Sequence, residues 1–150
     1  MQYTYGAATA EVEVDIETGH VKVLRMVTAY DVGKAINPLS LEGQIEGGTV
    51  QGLGYATMEE LIHRDGIVVN PSLADYYIPT SLDVPEIKTI VVEYPGDLGP
   101  YGAKAIGEPP IVLPAPAIVN AIENAIGVRL SEIPATPDRV LMALKRQREE

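Results

Sequence analysis

The sequence predicts an α+β fold, in which a β-hairpin within a mixed sheet packs against a glycine-rich helix and C-terminal helices. Three observations lead to this prediction. Apolar and acidic residues alternate between positions 10 and 16, a helix start signal stands at Asn37-Pro38, and an amphipathic helical pattern surrounds position 118. With 150 residues, 46% of them hydrophobic, the chain has the material for one core. We therefore expect residues 1–150 to form a single domain.

The first predicted element is a β-hairpin in the stretch AEVEVDIETGHVKVLRMV. Its first strand alternates acidic and apolar side chains from Glu11 to Ile16, which places the apolar residues on one face. The ETGH turn leads into a return strand that contains Val21 and Val23. That strand loses its alternation at VLRMV, which indicates burial on both faces. The hairpin is thus expected to join a larger sheet.

A glycine-rich helix is predicted from about Pro38 to Leu61, with Asn37 as its N-cap. Five glycines lie within twelve residues, namely Gly43, Gly47, Gly48, Gly52 and Gly54. Each costs about 1 kcal/mol relative to alanine inside a helix. Gly43 and Gly47 are four residues apart, and so are Gly48 and Gly52, so each pair forms a flat strip. Two interpretations stay open, which are tight packing of the helix and close approach of a ligand.

The rest of the chain predicts loops, one strand and two helices. The region between positions 62 and 86 reads as a short strand pair or loop, with a turn at Asp65-Gly66, and IKTIVVEYP reads as a strand. GDLGPYGAKAIGEPP reads as an ordered loop. An amphipathic helix then buries one apolar face and stops at Gly127, and a last helix starts at Thr136-Pro137.

Composition excludes several functional classes. The formal net charge of −10 and the lack of a basic stripe make nucleic acid an unexpected partner. The chain has no cysteine, and neither His20 nor His63 has a second ligand at suitable spacing, so no protein-ligated metal site is expected. Neither glycine-rich stretch fits a nucleotide-binding motif. No long apolar run is present, so we expect a soluble, cytoplasmic protein that does not bind membranes.

Glu108 stands alone in a rigid, largely apolar loop, between Gly107 and the pair Pro109-Pro110. Pro109 favours an extended backbone at Glu108, and Lys104 is the nearest cation in the sequence. A buried carboxylate at this place would suit a general base that works near neutral pH. The alternative interpretation is an ordinary surface glutamate in a loop.

Two long motifs resemble one enzyme family. GQIEGGTVQGLGYATMEE, followed by GAKAIGEPPIVLPAPAIVNAI, is similar to the carboxy-terminal part of the molybdenum-binding large subunit in the xanthine dehydrogenase/aldehyde oxidase family of molybdenum hydroxylases. The preceding stretch YGAATAEVEVDIETGHVKVLRMVTAYDVGKAINP resembles the same family in order and spacing. The resemblance covers nearly the whole chain. It implies that the chain is the carboxy-terminal portion of a molybdopterin-binding domain and a fragment of a larger subunit.

The resemblance also implies roles for individual residues. Glu108, in AIGEPP, would be the general base that takes a proton from a water-derived oxygen as it attacks an electron-poor carbon of the substrate. Gln44, in GQIEG, would hydrogen-bond the molybdenum site or the cofactor. Gly43 and Gly107 would let a bulky pterin approach the backbone closely. Ala105 stands where relatives often have glycine. The pterin dithiolene would hold the metal, so the chain itself would supply no metal ligand.

Cofactors and partners follow from the same resemblance. The cofactor would be molybdenum–molybdopterin, with the cytosine dinucleotide as one form it takes, shared with parts of the subunit that this chain lacks. FAD and iron–sulfur clusters would lie on other chains or domains, and the assembly would be an oligomer that acts on a small molecule. Purines, aldehydes, N-heterocycles and carbon monoxide all stay open as substrates. The alternative is a non-catalytic, stand-alone binding or structural domain derived from this family.

Overall fold

A computed structural model describes residues 2–149 of the chain. In chain order the elements are β1 (Gly6–Val14), β2 (Val21–Asp31), α1 (Pro38–Thr57), β3 (His63–Arg64), β4 (Ile67–Val68), β5 (Glu86–Val92), α2 (Pro109–Val112), α3 (Pro114–Ile126) and α4 (Pro137–Glu149). The α+β class that the sequence predicts is confirmed. Among the described residues, no helix is long and apolar enough to span a bilayer.

The main sheet has three strands in the order β1-β2-β5. β1 runs antiparallel to β2, and β5 runs parallel to β2, so the sheet is mixed. The predicted hairpin and its extra strand are therefore present. The pairing of β1 with β2 shifts between Glu11 and Val12, where β2 contributes one extra residue, Leu24. Because it lies in this bulge, Leu24 stays 37% exposed, and the prediction that VLRMV is buried on both faces is wrong at this residue.

Helix α1 begins as the sequence predicts. The Asn37 side chain accepts a hydrogen bond from the Ser40 N–H at 3.1 Å, and Pro38 takes the first helical position. The helix ends at Thr57, four residues before the predicted Leu61. The reason is that the amides of both Met58 and Glu59 bond to the Gly54 carbonyl, which closes the last turn and directs the chain away.

The core lies between one face of the sheet and the helices. Met26 of β2 is fully buried in a cluster that also contains Leu53 of α1, Ile118 of α3 and Val140 of α4. A smaller cluster surrounds Tyr30 at the other end of β2. Tyr30 donates a hydrogen bond to the Pro110 carbonyl at 3.4 Å, and burial raises its pKa to about 12. β2 thus connects the main core to the loop that contains Glu108.

The predicted Asp65-Gly66 turn, the end of α3 and the start of α4 agree with the structure. Asp65 and Gly66 have positive φ angles of 51° and 79° and connect β3 to β4. Gly127 ends α3 in a left-handed conformation, with φ 73°. Helix α4 starts at Pro137, as predicted, and its Arg139 forms a 2.7 Å ion pair with Glu60 just beyond α1. This ion pair fixes the last helix to the end of the glycine-rich one.

Candidate cofactor and catalytic site

The two motifs meet through one hydrogen bond. The Gln44 side-chain Nε2 donates to the Gly107 carbonyl at 2.7 Å, across 63 positions of sequence. Gln44 lies in the second turn of α1, and Gly107 precedes Glu108 in the loop before α2. The fold therefore places Gln44, Gly107 and Glu108 together. Among residues 2–149, no group donates to the side-chain Oε1 of Gln44, and the second Nε2 hydrogen also stays available.

Glu108 occupies the position before the first residue of the short helix α2. Its carbonyl accepts a hydrogen bond from the Ile111 N–H at 3.1 Å, but its carboxylate does not cap the helix. The backbone has φ −101° and ψ −26°, so the prediction of an extended conformation before Pro109 is wrong. The turn closed by Ile111 outweighs the steric preference that a proline imposes on the residue before it. The Glu108 side chain is exposed.

Lys104, the nearest cation in the sequence, is bound to another carboxylate. Its Nζ lies 2.5 Å from Asp31 Oδ2, with only 7% and 15% of the two side chains exposed, and 5.3 Å from the centre of the Tyr94 ring. Within the described part of the chain, Glu108 has no ion pair. Its exposed carboxylate oxygens therefore remain available to a group outside the described residues.

The segment before Glu108 is fixed to the end of β2. The amide of Lys104 donates to the Val32 carbonyl at 2.9 Å, and the amide of Lys34 donates to the Gly102 carbonyl at 3.1 Å. Gly33 has φ 67° and pairs with Ala103 in an isolated bridge. Sequence reasoning missed this anchor, because Asp31 and Lys104 are 73 positions apart and neither forms a motif alone.

The Asp31–Lys104 pair predicts a pH dependence of stability. The hydrogen bond from Lys104, followed by the bond from the Gly33 N–H, lowers the pKa of Asp31 in the folded chain. A lowered pKa means that ionised Asp31 stabilises the fold above the unfolded pKa of about 3.9. We expect this contribution to disappear as pH falls through the lower, folded pKa. Asp31→Asn should destabilise the chain at pH 7 and flatten the acid limb of its stability curve.

Urea unfolding of both proteins between pH 2 and 7 measures this effect. Asp97→Asn is the matched control, since Asp97 is exposed and has no ion pair among residues 2–149. Equal acid limbs for the wild type and Asp31→Asn would contradict the assignment.

Four of the five helix glycines form two pairs with different surroundings. A Cβ placed on Gly48 would lie 2.5 Å from Pro110 Cβ, and one on Gly52 would lie 2.7 Å from Pro114 Cγ. Both glycines are buried where α1 contacts α2 and α3. For this pair the packing interpretation is correct, because any side chain would collide with a rigid proline ring.

The second helix pair, Gly43 and Gly47, faces open space, and so does Gly107 in the loop before α2. A Cβ on Gly43, Gly47 or Gly107 would have no neighbouring atom within 4 Å, apart from the adjoining backbone. Gly43 and Gly47 lie on one exposed strip of α1, and the adjacent Gln44 donates to the carbonyl of Gly107, the residue before Glu108. No packing within the described residues requires glycine at these three positions. We call Gly43, Gln44, Gly47, Gly107 and Glu108 the open glycine face.

The open glycine face fits a large, flat, polar group. Three exposed glycines leave the backbone accessible, and the Gln44 amide offers both a donor and an acceptor. The described residues contain no group of three or more His, Asp or Glu that could hold a metal ion. A flat polar group would contact the chain through the Gln44 amide and the backbone at the three glycines.

Comparison with known proteins gives consistent matches. The family described as "Molybdopterin cofactor-binding domain" matches residues 1–85, which include Gln44 but not Glu108. The putative xanthine dehydrogenase molybdenum-binding subunit of Escherichia coli K12 is 40% identical over 138 residues, 91% of this chain and 18% of that protein.

Solved structures agree with the sequence matches. Aldehyde oxidoreductase from Desulfovibrio gigas superposes with a TM-score of 0.87 at 38% identity, over 95% of this chain and 15% of that one. Carbon monoxide dehydrogenase from Oligotropha carboxidovorans superposes with a TM-score of 0.89 at 29% identity, over 97% of this chain and 19% of that one.

The chain spans about a fifth of the length of the relatives it matches. The resemblance that the sequence indicates is confirmed by a family match over more than half of the chain, by relatives near 40% identity and by close superposition of the fold. The chain belongs to the molybdopterin cofactor-binding domain family, within the group of xanthine dehydrogenase and aldehyde oxidoreductase homologues.

Proposed function

We propose that this chain supplies the general base and one wall of the cofactor site in a molybdenum hydroxylase. In this proposal it forms the carboxy-terminal portion of a molybdopterin-binding domain, and the rest of the molybdenum subunit completes the site. The single observation that carries the proposal is the 2.7 Å hydrogen bond from Gln44 to Gly107. That bond places the only two motifs with implied chemical roles beside each other on the open glycine face.

Each residue of the open glycine face has a proposed task. Gly43, Gly47 and Gly107 let the cofactor approach the backbone, while the remaining donor and acceptor of Gln44 orient it. The Glu108 carboxylate accepts the proton of the water-derived oxygen that attacks the substrate carbon. When bound, molybdenum–molybdopterin supplies the redox centre that accepts the two electrons of the oxidation. In the free chain Glu108 is exposed, so the rest of the subunit must exclude water from it.

Partners are part of the proposal. Relatives are named "molybdenum-binding subunit" and "complex subunit gamma", which describes those proteins as parts of assemblies. We propose that this chain works with the remainder of a molybdenum subunit and with domains or chains that hold FAD and iron–sulfur clusters. The substrate is a small molecule with an electron-poor carbon. A cytoplasmic location stays a prediction from the sequence.

The isolated chain is expected to bind no molybdopterin and to show no hydroxylase activity. The reason is that the open glycine face is one exposed wall, and a cofactor bound there would be covered on one side only. Metal analysis and pterin fluorescence of the purified 150-residue chain measure this. Stoichiometric molybdenum in that sample would contradict the shared-site proposal and favour a stand-alone binding domain.

The proposal is tested with Glu108→Gln in the native molybdenum protein that contains this sequence. Turnover should fall while molybdenum and pterin content stay at wild-type levels. Glu13→Gln is the matched control, because Glu13 is an exposed glutamate on β1. A fully loaded Glu108→Gln enzyme with normal turnover would refute the catalytic assignment.

A further inference from the structure

The three-stranded sheet has two free edges, and they differ in composition. Among residues 2–149, no strand pairs with the outer side of β1 or of β5. β1 has glutamates at positions 11 and 13, a usual protection of an edge against unwanted pairing. β5 ends in the uncharged run Thr89–Val92, and its seven residues pair with β2 in continuous register. The first half of β5 carries Glu86 and Lys88, and its second half has the composition of an internal strand.

The backbone of β5 shows which groups lie on its free side. The Val92 carbonyl accepts a hydrogen bond from the Val32 N–H at 3.0 Å, so the polar groups of Val92 point toward β2. In a strand, the N–H and C=O groups of one residue share a side, and successive residues alternate. The backbone N–H and C=O groups of Ile90 and Lys88 therefore also point toward β2. Ile87, Thr89 and Val91 direct their N–H and C=O groups to the free edge.

The side chains at this edge are apolar and uncovered. Ile90, Val91 and Val92 are 41%, 38% and 46% exposed, and they occupy both faces of the strand. Such a continuous apolar run is usual for a strand with neighbours on both sides. An exposed, regular edge with four successive uncharged residues otherwise attracts non-specific pairing. The edge thus combines unpaired backbone groups with side chains suited to burial.

We propose that the β5 edge is the site at which a β-strand from the rest of the molybdenum subunit adds to the sheet. This inference rests on the proposed function, since it assumes that the remaining subunit assembles around this chain. The added strand would bond to the outward groups of Ile87, Thr89 and Val91, and its apolar side chains would cover Ile90 and Val92. Since the chain spans about a fifth of its relatives, most of such a subunit is available to provide the strand.

A second copy of the chain is the less favourable occupant. Each copy has a formal net charge of −10, so two copies that meet edge to edge repel each other. The outward N–H and C=O groups of β5 can bond to any strand. A partner other than a second copy of this chain avoids doubling this charge. The remaining subunit, on the same polypeptide or on another, is therefore the occupant to which we assign the edge.

Hydrogen exchange at single-residue resolution tests the assignment. In the isolated chain, the amides of Lys88, Ile90 and Val92 should be protected, while those of Ile87, Thr89 and Val91 exchange rapidly. In the native molybdenum protein purified from its own cells, these three outward amides should exchange at least about 100-fold more slowly. Rapid exchange of all three in the native protein would overturn the proposal.

A proline substitution gives a second test. Val91→Pro removes an N–H that points to the free edge, so it should spare the pairing of β5 with β2 and weaken assembly. Ala8→Pro is the matched control on the other edge, because the Asp31 N–H bond to the Tyr5 carbonyl places the Ala8 amide away from β2. We expect both isolated variants to keep the wild-type melting temperature within a few degrees, with only Val91→Pro losing the edge protection in the native protein.

Other outcomes are equally decisive. Slow exchange of the outward amides in an isolated chain that light scattering shows to be a dimer would assign the edge to a second copy and overturn the proposal. If Val91→Pro does not fold, the exchange pattern of the wild type still decides the question. Exchange does not depend on turnover, so a protected edge with a fully active Glu108→Gln enzyme would refute the proposed function alone. An unprotected edge with an inactive Glu108→Gln enzyme would refute the strand addition alone.

Discussion

Glu108→Gln in the assembled enzyme is expected to reduce turnover by about 10²–10⁴-fold, which corresponds to about 3–5 kcal/mol in the activation free energy. The amide keeps the size of the carboxylate, but it cannot accept a proton. The Glu108 side chain caps no helix and has no ion pair among residues 2–149, so its replacement should leave the fold intact. Steady-state kinetics normalised to molybdenum content measure the effect.

Gln44→Ala should give a different phenotype from Glu108→Gln. The substitution removes the 2.7 Å bond to the Gly107 carbonyl and the free amide groups of Gln44. We expect a lower molybdenum and pterin content, or an altered molybdenum spectrum, together with slower turnover. Wild-type cofactor content and an unchanged spectrum in Gln44→Ala would remove Gln44 from the cofactor site.

Valine at Gly48 or Gly52 is expected to destabilise the chain by about 3 kcal/mol, because overpacking a tight contact forces rigid groups apart. The new Cβ would lie 2.5 Å from Pro110 Cβ at position 48, and 2.7 Å from Pro114 Cγ at position 52. Neither a proline ring nor the α2 backbone can yield without moving the loop that contains Glu108. The midpoint of urea unfolding of the isolated chain measures the loss.

Valine at Gly43 or Gly47 is the matched comparison within the same helix. Both positions have open space around the new Cβ, so the free energy of unfolding should change by no more than about 0.5 kcal/mol, the small difference in helix propensity. In the assembled enzyme, however, Gly47→Val should lower molybdenum content, because a side chain would occupy the proposed cofactor wall. A large loss of stability at Gly43 or Gly47 would contradict the division of the glycines.

Much of the fold follows from local patterns. Alternation from Glu11 to Val14 predicts the first strand, and the Asn37-Pro38 signal predicts the start of α1, because both depend on neighbouring residues only. Ile16, which the same pattern places on the apolar face, lies beyond β1 and is 53% exposed, so the prediction is wrong at that residue. The end of α1 at Thr57 was not predictable in this way. This end depends on the Gly54 carbonyl, which accepts hydrogen bonds from two amides and so competes with continuation of the helix. The exposure of Leu24 depends on a bulge in the register with β1, which no local pattern of β2 contains.

The sequence by itself determined the family, through two motifs whose length and order are specific, and it singled out Glu108, Gln44, Gly43 and Gly107 as the residues to examine. The tertiary structure alone decided how the helix glycines divide. Spacing is identical in the pairs Gly43/Gly47 and Gly48/Gly52, but only the second pair contacts the proline-rich helices. It also decided that Lys104 binds Asp31 and leaves Glu108 without a cation. Both results depend on contacts between residues more than 50 positions apart, which the fold sets and one-dimensional spacing does not encode.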